Sequence, residues 1–309
     1  MESQQDTSSS KVVGAGTNGK LVNALTVDVE DYFHVSALAS VISPEDWAQH
    51  DQGRVVKSTR RLLDLFDKHN YKATFFVLGW VADRYPELVR DIHRAGHEVA
   101  SHGWSHQLVY NQTEQVFRQE TERSKKCLED IVGEEVCGYR AASYSITPKS
   151  KWALDILFEL GFRYDSSLFP VYHDRYGMPG IPLFPHVLET DKGNKLVEFP
   201  LSTYGVLGYR LPVSGGGYFR LFPYALNRGC LASINRDKNP FVFYLHPWEI
   251  DDQQPRYPVK GLSKFRHYNN LDKCYGRLQN LLGDFQFGTM SSVLQEMSLL
   301  SPEVVTEPV

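Results

Sequence analysis

The chain has 309 residues, 42% of them hydrophobic, which is enough apolar material for the core of one large domain or two small ones. Its formal net charge is −4, so it lacks the strongly basic character of most nucleic-acid-binding proteins, and no nucleic-acid partner is expected. The four cysteines form no Cys-x-x-Cys pair, so neither a cysteine zinc site nor a disulfide framework is indicated.

Residues 1–20 are rich in serine, glutamine, glycine and asparagine, and they lack the charged-then-apolar order of a signal peptide. We therefore expect a disordered tail over 1–20 and a cytoplasmic protein. No apolar run approaches the roughly 20 residues that cross a bilayer, so no membrane span is expected. Residues 300–309 are expected to form a second, loose tail.

The first predicted strand, over residues 25–30, has two chemically different faces. Side chains alternate along a strand, so the three apolar residues of Leu-Thr-Val-Asp-Val-Glu share one face, and Asp28 and Glu30 share the other. Acidic groups at the C-terminal end of a strand suit a barrel whose interior opens on a functional site.

The rest of the chain alternates between strands and helices. Further strands are predicted over 73–78, 98–101, 137–140, 162–165, 196–199, 241–245 and 285–287. Helices are predicted between them, including a single helix whose buried stripe covers 81–92 and which ends at Gly96, and one that begins with Asn111 as its cap and ends before Gly133. This alternation predicts an α/β fold with a parallel sheet, as a barrel of about eight or fewer strands or as an open doubly wound sheet.

The segment 168–220 interrupts this rhythm with six prolines and the run Gly215-Gly-Gly217. We interpret it as a long insertion beside the site that contains one strand. Residues 250–299 are interpreted as a C-terminal extension, and residues 21–299 as a single domain.

Two histidines, His102 and His106, follow the predicted strand at 98–101 and are four residues apart. This spacing on a helical turn puts both imidazoles on one side of the backbone, where they can reach one ion. Such a pair taken alone is also compatible with surface or core histidines that bind nothing. A metal site needs a third ligand and a hydrolase needs a base, and Asp28-Val-Glu-Asp31 offers carboxylates for both.

Five polar stretches fall at or near the C-terminal ends of successive predicted strands, which is where catalytic groups collect in α/β barrels. They are Asp28-Val-Glu-Asp31, His102 to His106, Arg140-Ala-Ala-Ser-Tyr144, Asp165-Ser-Ser167 and His246-Pro-Trp-Glu249. Their joint placement is a stronger signal than any one of them.

This ordered set resembles the motifs of the NodB-homology polysaccharide deacetylases, carbohydrate esterase family four. That family has, in order, Thr-Phe-Asp-Asp, His-x3-His, Arg-x-Pro-Tyr, Asp-x-x-Trp-like and Leu-x-His motifs, and the resemblance covers roughly residues 21–249. Stretches at 215–220 and 265–268 are similar to the subgroup from exopolysaccharide loci, including those linked to PEP-CTERM and exosortase systems. The chain departs from the family at Asp28-Val-Glu-Asp31 and at Ala142, where a proline is common.

The resemblance implies a distorted (β/α)7-type barrel and a metal-dependent hydrolase that removes N-acetyl groups from an exopolysaccharide or its precursor as acetate. The implied cation is zinc, with cobalt, nickel or manganese as alternatives. Strand alternation favours Glu30 as its carboxylate ligand beside His102 and His106, with Asp31 as the alternative. Other exopolysaccharide assembly proteins are implied as partners.

The resemblance also implies the acid–base roles. Asp28 is expected to act as the general base and His246 as the general acid. A backbone N–H near Tyr144 is expected to help hold the oxyanion. Arg140 is expected to orient Asp28, and Asp165 to orient Arg140 or His246. An Arg140–Asp165 pair with a purely structural role is the alternative.

Substrate choice is assigned to the segment 168–220 together with residues 265–268. Aromatic faces there suit pyranose rings, and arginines suit anionic or hydroxyl groups; the candidates are Tyr204, Tyr209, Tyr218, Arg210 and Arg220. The rival is a capping loop without a binding role. Two other functions stay open: an allantoinase-like or cyclic-imide hydrolase on the same scaffold, and a catalytically inactive glycan-binding protein.

Overall fold

The computed structural model describes residues 21–173 and 176–301. The tail predicted over 1–20 lies outside the described residues, as do all but two residues of the tail predicted over 300–309.

The described part of the chain contains eleven strands. They are β1 (Val22–Val29), β2 (Thr74–Val77), β3 (Glu98–Ser101), β4 (Gly138–Tyr139), β5 (Tyr164–Asp165), β6 (His186–Glu189), β7 (Lys195–Glu198), β8 (Thr203–Val206), β9 (Tyr209–Pro212), β10 (Val242–Leu245) and β11 (Gln286–Gly288).

Eleven α-helices alternate with these strands in the same described ranges. They are α1 (Trp47–His50), α2 (Arg54–Lys68), α3 (Gly79–Arg84), α4 (Pro86–Arg94), α5 (Glu114–Val132), α6 (Trp152–Glu159), α7 (Gly216–Leu221), α8 (Tyr224–Arg236), α9 (Gly261–Tyr268), α10 (Leu271–Asp284) and α11 (Met290–Glu296). None of the helices in these ranges is long and apolar enough to cross a membrane.

The main sheet is largely parallel, in the order β10-β1-β2-β3-β4-β5-β7-β6, and β11 also pairs with β1. Every neighbouring pair from β10 to β7 is parallel, and β6 is antiparallel to β7. The predicted α/β class with a parallel sheet is therefore confirmed. Within the described residues no strand ladder joins the outer strands β10 and β6, so hydrogen bonds do not close the predicted barrel.

The two faces of β1 are as predicted. Leu25, Val27 and Val29 are fully buried in the main hydrophobic core, and Asp28 lies on the opposite face, where it reaches the cleft described below. β1 lies between β10 and β2, and β2 pairs in turn with β3, so the polar groups at the ends of β1, β3 and β10 meet at one edge of the sheet.

Two helix predictions need correction. The single helix predicted over 81–92 is two helices, because Pro86 begins α4 and Tyr85 before it has the non-helical angles φ −130° and ψ 58°. The cap of α5 is Thr113, whose hydroxyl accepts a hydrogen bond from the Val116 N–H, whereas Asn111 ends a preceding 3-10 turn.

The segment 168–220 is more regular than predicted. It contains β6, β7 and the β8–β9 hairpin as well as α7, so the prediction of one strand is wrong. Three of its six prolines lie near strand ends, with Pro185 before β6, Pro200 after β7 and Pro212 at the end of β9, where they remove no central ladder bond. The other three lie in the loop between β5 and β6, and β7 extends the main parallel sheet.

Candidate metal and acid–base site

A cleft of about 430 Å³ lies at the carboxyl end of the parallel strands. Asp28 and Glu30 reach it from the end of β1, His102 and His106 from the loop after β3, and His246 from the end of β10. Further wall residues come from the C-terminal region, among them Tyr176, Tyr218, Trp248 and Phe265.

Among the described residues, one group of side chains has the geometry to hold a metal ion, and it consists of Glu30, His102 and His106. One ligand atom from each lies within 4.8 Å of the others. Glu30 Oε2 is buried without a hydrogen-bond partner, although it lies 2.7 Å from His106 Nε2. One carboxylate and two imidazoles are a common donor set for a divalent cation, so these residues fit such an ion.

The loop that carries the histidines is not the predicted helical turn. His102 directly follows β3, and Gly103 and His106 both have positive φ angles, of 74° and 53°. The first two N–H groups of α3 hold the loop, because Gly79 donates to the Gly103 carbonyl and Trp80 to the Trp104 carbonyl, at 2.7 and 3.1 Å. The irregular turn thus brings the two imidazoles together without helical spacing.

The ring of His102 is oriented by the neighbouring strand. Its Nδ1 lies 2.8 Å from the carbonyl oxygen of Arg140 and donates to it, which leaves Nε2 free to act as a ligand. Burial lowers the pKa of His102 to about 4, so the neutral imidazole that a metal requires is present at neutral pH.

The geometry favours Glu30 over Asp31 as the carboxylate of this group. Both Asp31 oxygens accept backbone hydrogen bonds, from the N–H groups of Tyr32 and Val55 at 2.8 and 2.9 Å, so Asp31 caps a 3-10 turn and holds the start of α2. Burial raises the pKa of Asp31 to about 7. Burial also acts to raise the pKa of Glu30, but the nearby histidines, led by His106, hold it well below its usual range.

Arg140 binds Asp28 in the predicted manner. Its Nη1 donates to Asp28 Oδ1 at 2.7 Å and to the Thr26 hydroxyl at 2.8 Å. The rest of the guanidinium donates to the carbonyl and hydroxyl of Ser166, at 3.1 and 3.0 Å. The other carboxylate oxygen, Asp28 Oδ2, points to the cleft and lies 3.9 Å from His246 Nε2.

His246 is oriented by Glu249, a residue that the sequence interpretation left without a role. Glu249 Oε2 lies 2.9 Å from His246 Nδ1 and 3.0 Å from the His246 backbone nitrogen. The other ring nitrogen, Nε2, faces Glu30 Oε1 at 3.6 Å. Burial acts to lower the pKa of His246, but the hydrogen bond and charge of Glu249, with Glu30 and Asp28, raise it to about 9. The sequence signal for this contact was the spacing of three residues between His246 and Glu249, which allows the two side chains to meet across one turn.

Asp165 is placed differently from the prediction. Its carboxylate accepts hydrogen bonds from the hydroxyl and the N–H of Ser167, at 2.6 and 3.2 Å, and it shares a hydrogen bond with Glu198. Burial raises its pKa to about 6. Arg140 pairs with Asp28, and His246 Nδ1 pairs with Glu249. The prediction that Asp165 orients Arg140 or His246 is therefore wrong.

The expected oxyanion donor is a backbone N–H near Tyr144; the N–H of Tyr144 itself donates to the Ala141 carbonyl at 3.0 Å within a tight turn. Its hydroxyl instead lies 3.5 Å from Asp28 Oδ2. Ser143 and Tyr144 both have positive φ angles, of 51° and 56°. The backbone therefore turns sharply directly after Ala142, the position where the family motif commonly has a proline.

The candidate substrate-binding residues divide into two groups. Tyr218 lines the cleft, and its hydroxyl lies 3.1 Å from that of Tyr176. Tyr209 is 81% exposed on the β8–β9 hairpin, and Tyr204 bonds to Ser233 on α8, so neither lines the cleft. Of the two arginines, Arg210 is exposed on the same hairpin and does not line the cleft, whereas Arg220 is buried and its Nε donates to Glu249 Oε1 at 2.6 Å.

Comparison with known families divides the chain into two matched regions. Residues 47–164 match the family model described as polysaccharide deacetylase, and residues 166–295 match a domain of unknown function, DUF3473. His102, His106 and Arg140 fall in the first region and His246 and Glu249 in the second.

A peptidoglycan deacetylase of Helicobacter pylori is 34% identical over 121 residues, which are 38% of this chain and 40% of that protein. The chain thus spans less than half the length of this curated relative. A solved structure from Mycobacterium smegmatis, with a provisional polysaccharide deacetylase assignment, is 22% identical with a TM-score of 0.59 over 97% of this chain and 99% of that one.

A solved allantoinase has the same TM-score of 0.59, at 14% identity over 97% of this chain and 100% of that one. At such identities these two structures show a shared fold and do not distinguish between the two activities. The family match and the curated relatives, in contrast, support a polysaccharide deacetylase region in this chain, over the residues that carry the histidine pair.

Proposed function

We propose that the chain hydrolyses N-acetyl groups of an N-acetylated glycan and releases acetate, with the help of a divalent cation. The observation that carries the proposal is the arrangement in one cleft of two unlike proton-transfer groups, Asp28 and His246, beside Glu30, His102 and His106. A deacetylase needs this combination, because it must activate water and also protonate a poor leaving group.

The cation would be held by Glu30, His102 and His106. When bound it would polarise the acetamide carbonyl and favour ionisation of water. Glu30 and His102 are buried and the tautomer of His102 is fixed, which suits this task because the site is formed before the substrate arrives.

Asp28 would accept the proton of the attacking water at Oδ2. Its Oδ1 is held by Arg140, which leaves the other oxygen, Oδ2, on the side of the cleft. The water oxygen bonds to the acetyl carbon. This yields acetate once the carbon–nitrogen bond breaks.

His246 would donate the proton that the departing amine needs. Its Nε2 faces the carboxylates of Asp28 and Glu30, whereas Nδ1 is occupied by Glu249. The raised pKa of His246 keeps this proton in place at neutral pH. The proton that Asp28 gains balances the one that His246 loses.

The substrate would be an exopolysaccharide or its precursor, and zinc the cation, with cobalt, nickel or manganese able to replace it. The exopolysaccharide assignment rests on the stretches at 215–220 and 265–268, of which Tyr218, Phe265 and Arg266 line the cleft. A peptidoglycan substrate is the related possibility that the name of the Helicobacter pylori relative raises. A cytoplasmic location and an association with other exopolysaccharide assembly proteins remain predictions from the sequence.

Residues 21–299 would act as one domain. The support is that the site takes Asp28 from β1 and His246 from the end of β10, two paired strands that are more than 200 positions apart in the chain. The segment 168–220 and the extension 250–299 would then be parts of this domain.

The experiment is an assay of acetate release from a panel of N-acetylated oligosaccharides and peptidoglycan fragments, with and without added zinc or cobalt. Cyclic ureides and cyclic imides are tested in parallel by ring opening, because an allantoinase-like hydrolase would act on these instead. Glycan binding without acetate release at any metal concentration would support the inactive binding protein. Metal-dependent acetate release is the result that the proposal requires.

A further inference from the structure

Arg220 and Glu249 form a buried ion pair directly behind His246. Arg220 Nε donates to Glu249 Oε1 at 2.6 Å, and each residue is only 1% exposed. Two charges are costly to bury, and the cost is repaid only when all their hydrogen-bonding groups are well matched. The contacts of the two side chains therefore indicate what the pair is for.

The two oxygens of Glu249 have different partners. Oε1 accepts from Arg220, whereas Oε2 accepts from both the backbone N–H and the ring Nδ1–H of His246. This carboxylate therefore fixes the orientation of the imidazole, with Nδ1–H bonded to Glu249 and Nε2 facing the cleft.

The remaining donors of Arg220 reach the C-terminal end of α9. Nη1 donates to the carbonyls of His267 and Asn269, at 3.0 and 2.7 Å, and Nη2 donates to that of Arg266, at 2.9 Å. α9 also carries Leu262 and Phe265, which line the cleft. Arg220 thus joins the wall of the cleft to the carboxylate that holds His246.

A stack of rings fixes the same imidazole from its side. The Trp248 ring lies between those of His246 and His267, with centroid distances of 5.2 and 4.6 Å and interplanar angles of 22° and 18°. Every member of this assembly lies in the region that matches DUF3473.

We propose that Glu249 is the positioning residue of His246 and that Arg220 holds Glu249 in place, which gives the DUF3473 region a part in the chemistry. This inference rests on the proposed deacetylation, because it assigns His246 the proton donor. In this assignment Glu249 acts through His246 and transfers no proton itself.

The test uses the dependence on the leaving group. An amine must be protonated as it departs, whereas the 4-nitrophenolate of 4-nitrophenyl acetate departs without a proton. Glu249→Gln, which keeps the size of the side chain, is expected to lower kcat for the N-acetylated oligosaccharide about 10- to 100-fold. We expect its kcat for the aryl ester to stay within about threefold of the unaltered protein, with KM for both substrates little changed.

A second comparison asks whether Glu249 acts through His246. In the double variant Glu249→Gln/His246→Ala the amide turnover should equal that of His246→Ala alone, because the positioned group is already absent. Independent roles would instead multiply the two losses.

Loss of folding is controlled by a charge-balanced variant. Glu249→Gln alone leaves the Arg220 guanidinium buried without its partner, whereas Arg220→Gln/Glu249→Gln removes both charges. The matched control is Arg228→Gln, which breaks an exposed arginine–carboxylate pair with Asp284, 3.0 Å apart, in the same region. Arg228→Gln is expected to leave both activities unchanged, and the charge-balanced variant to lose amide activity selectively.

Amide and ester turnover that fall together in Glu249→Gln, a multiplicative loss in the double variant, or full amide activity without Glu249 would each overturn the inference. Failure of the proposed function is a different outcome, because the unaltered protein would then release no acetate from any glycan.

Discussion

Arg140 Nη1 lies 2.7 Å from Asp28 Oδ1, and neither side chain is appreciably exposed to solvent. The pair joins β1 to the turn after β4, two strands that are not neighbours in the sheet. It uses one oxygen of the carboxylate and leaves the other toward His246. This is the geometry expected of a base that is held by one oxygen and acts through the other.

The first prediction concerns Asp28 and His246, the proposed general base and general acid. Asp28→Asn and His246→Ala should each lower turnover about 100-fold or more, the usual scale for a lost general base or acid. Metal content, measured by elemental analysis after gel filtration, should stay near one ion per chain in both variants. A variant with nearly full turnover would remove that residue from the mechanism.

The second prediction separates the two acidic neighbours of Asp28. Glu30→Gln should abolish tight metal binding, because its oxygen belongs to the group formed with His102 and His106. Asp31→Asn is the matched control, since its oxygens serve the N–H groups of Tyr32 and Val55. It should keep the metal and lower the free energy of unfolding by about 1 kcal/mol, the scale of a lost cap. Metal loss in Asp31→Asn alone would reverse the assignment.

The third prediction is the alkaline limb of the pH–rate profile. His246 must be protonated to act, and a pKa raised toward about 9 means that activity persists through neutral pH and is lost as the pH rises through that value. A bound cation near Glu30 opposes the shift, so the limb of the metal-loaded protein should lie between the ordinary value of 6.5 and about 9. Glu249→Gln removes a carboxylate charge that raises the pKa of His246, so the alkaline limb should move to lower pH as the effect of burial becomes larger. If the alkaline limb of Glu249→Gln stays at the same pH, the limb reports a group other than His246.

The fourth prediction concerns substrate length. Tyr218 lines the cleft with Tyr176, so Tyr218→Ala should raise KM for a long N-acetylated oligosaccharide several-fold more than KM for a monosaccharide. Tyr209, exposed on the β8–β9 hairpin, supplies the control, and Tyr209→Ala should change neither value. Equal effects on both lengths in Tyr218→Ala would mean that the glycan is bound elsewhere.

Periodicity predicted which side chains share a face. The alternation along β1 separated Asp28 from the core residues of the same strand, and the apolar stripes located most of the helices. It also predicted that polar groups at successive strand ends would meet, because the carboxyl ends of parallel strands lie at one edge of a sheet. That part of the site needed no tertiary information beyond the fold class.

The partners within the site were not predictable in the same way. Asp165 was expected beside Arg140 or His246, but Ser167 and Glu198 hold its carboxylate, and Glu249 takes the place beside His246. Strand order brings several charged groups within a few ångströms of each other, and the choice among them depends on side-chain packing that no periodic pattern records. Arg220 was predicted to bind substrate for the same reason. Its guanidinium is instead buried against backbone carbonyls at the C-terminal end of α9, a contact that the sequence pattern does not reveal.

The most direct test of the central claim is acetate release from N-acetylated oligosaccharides by metal-stripped protein, before and after addition of zinc or cobalt. The unaltered chain should release one acetate for each new amine only when the cation is present. His102→Ala, which removes a proposed ligand and should fold normally, should bind no stoichiometric metal and release no acetate. Undiminished acetate release without metal, or full metal content in His102→Ala, would contradict the account.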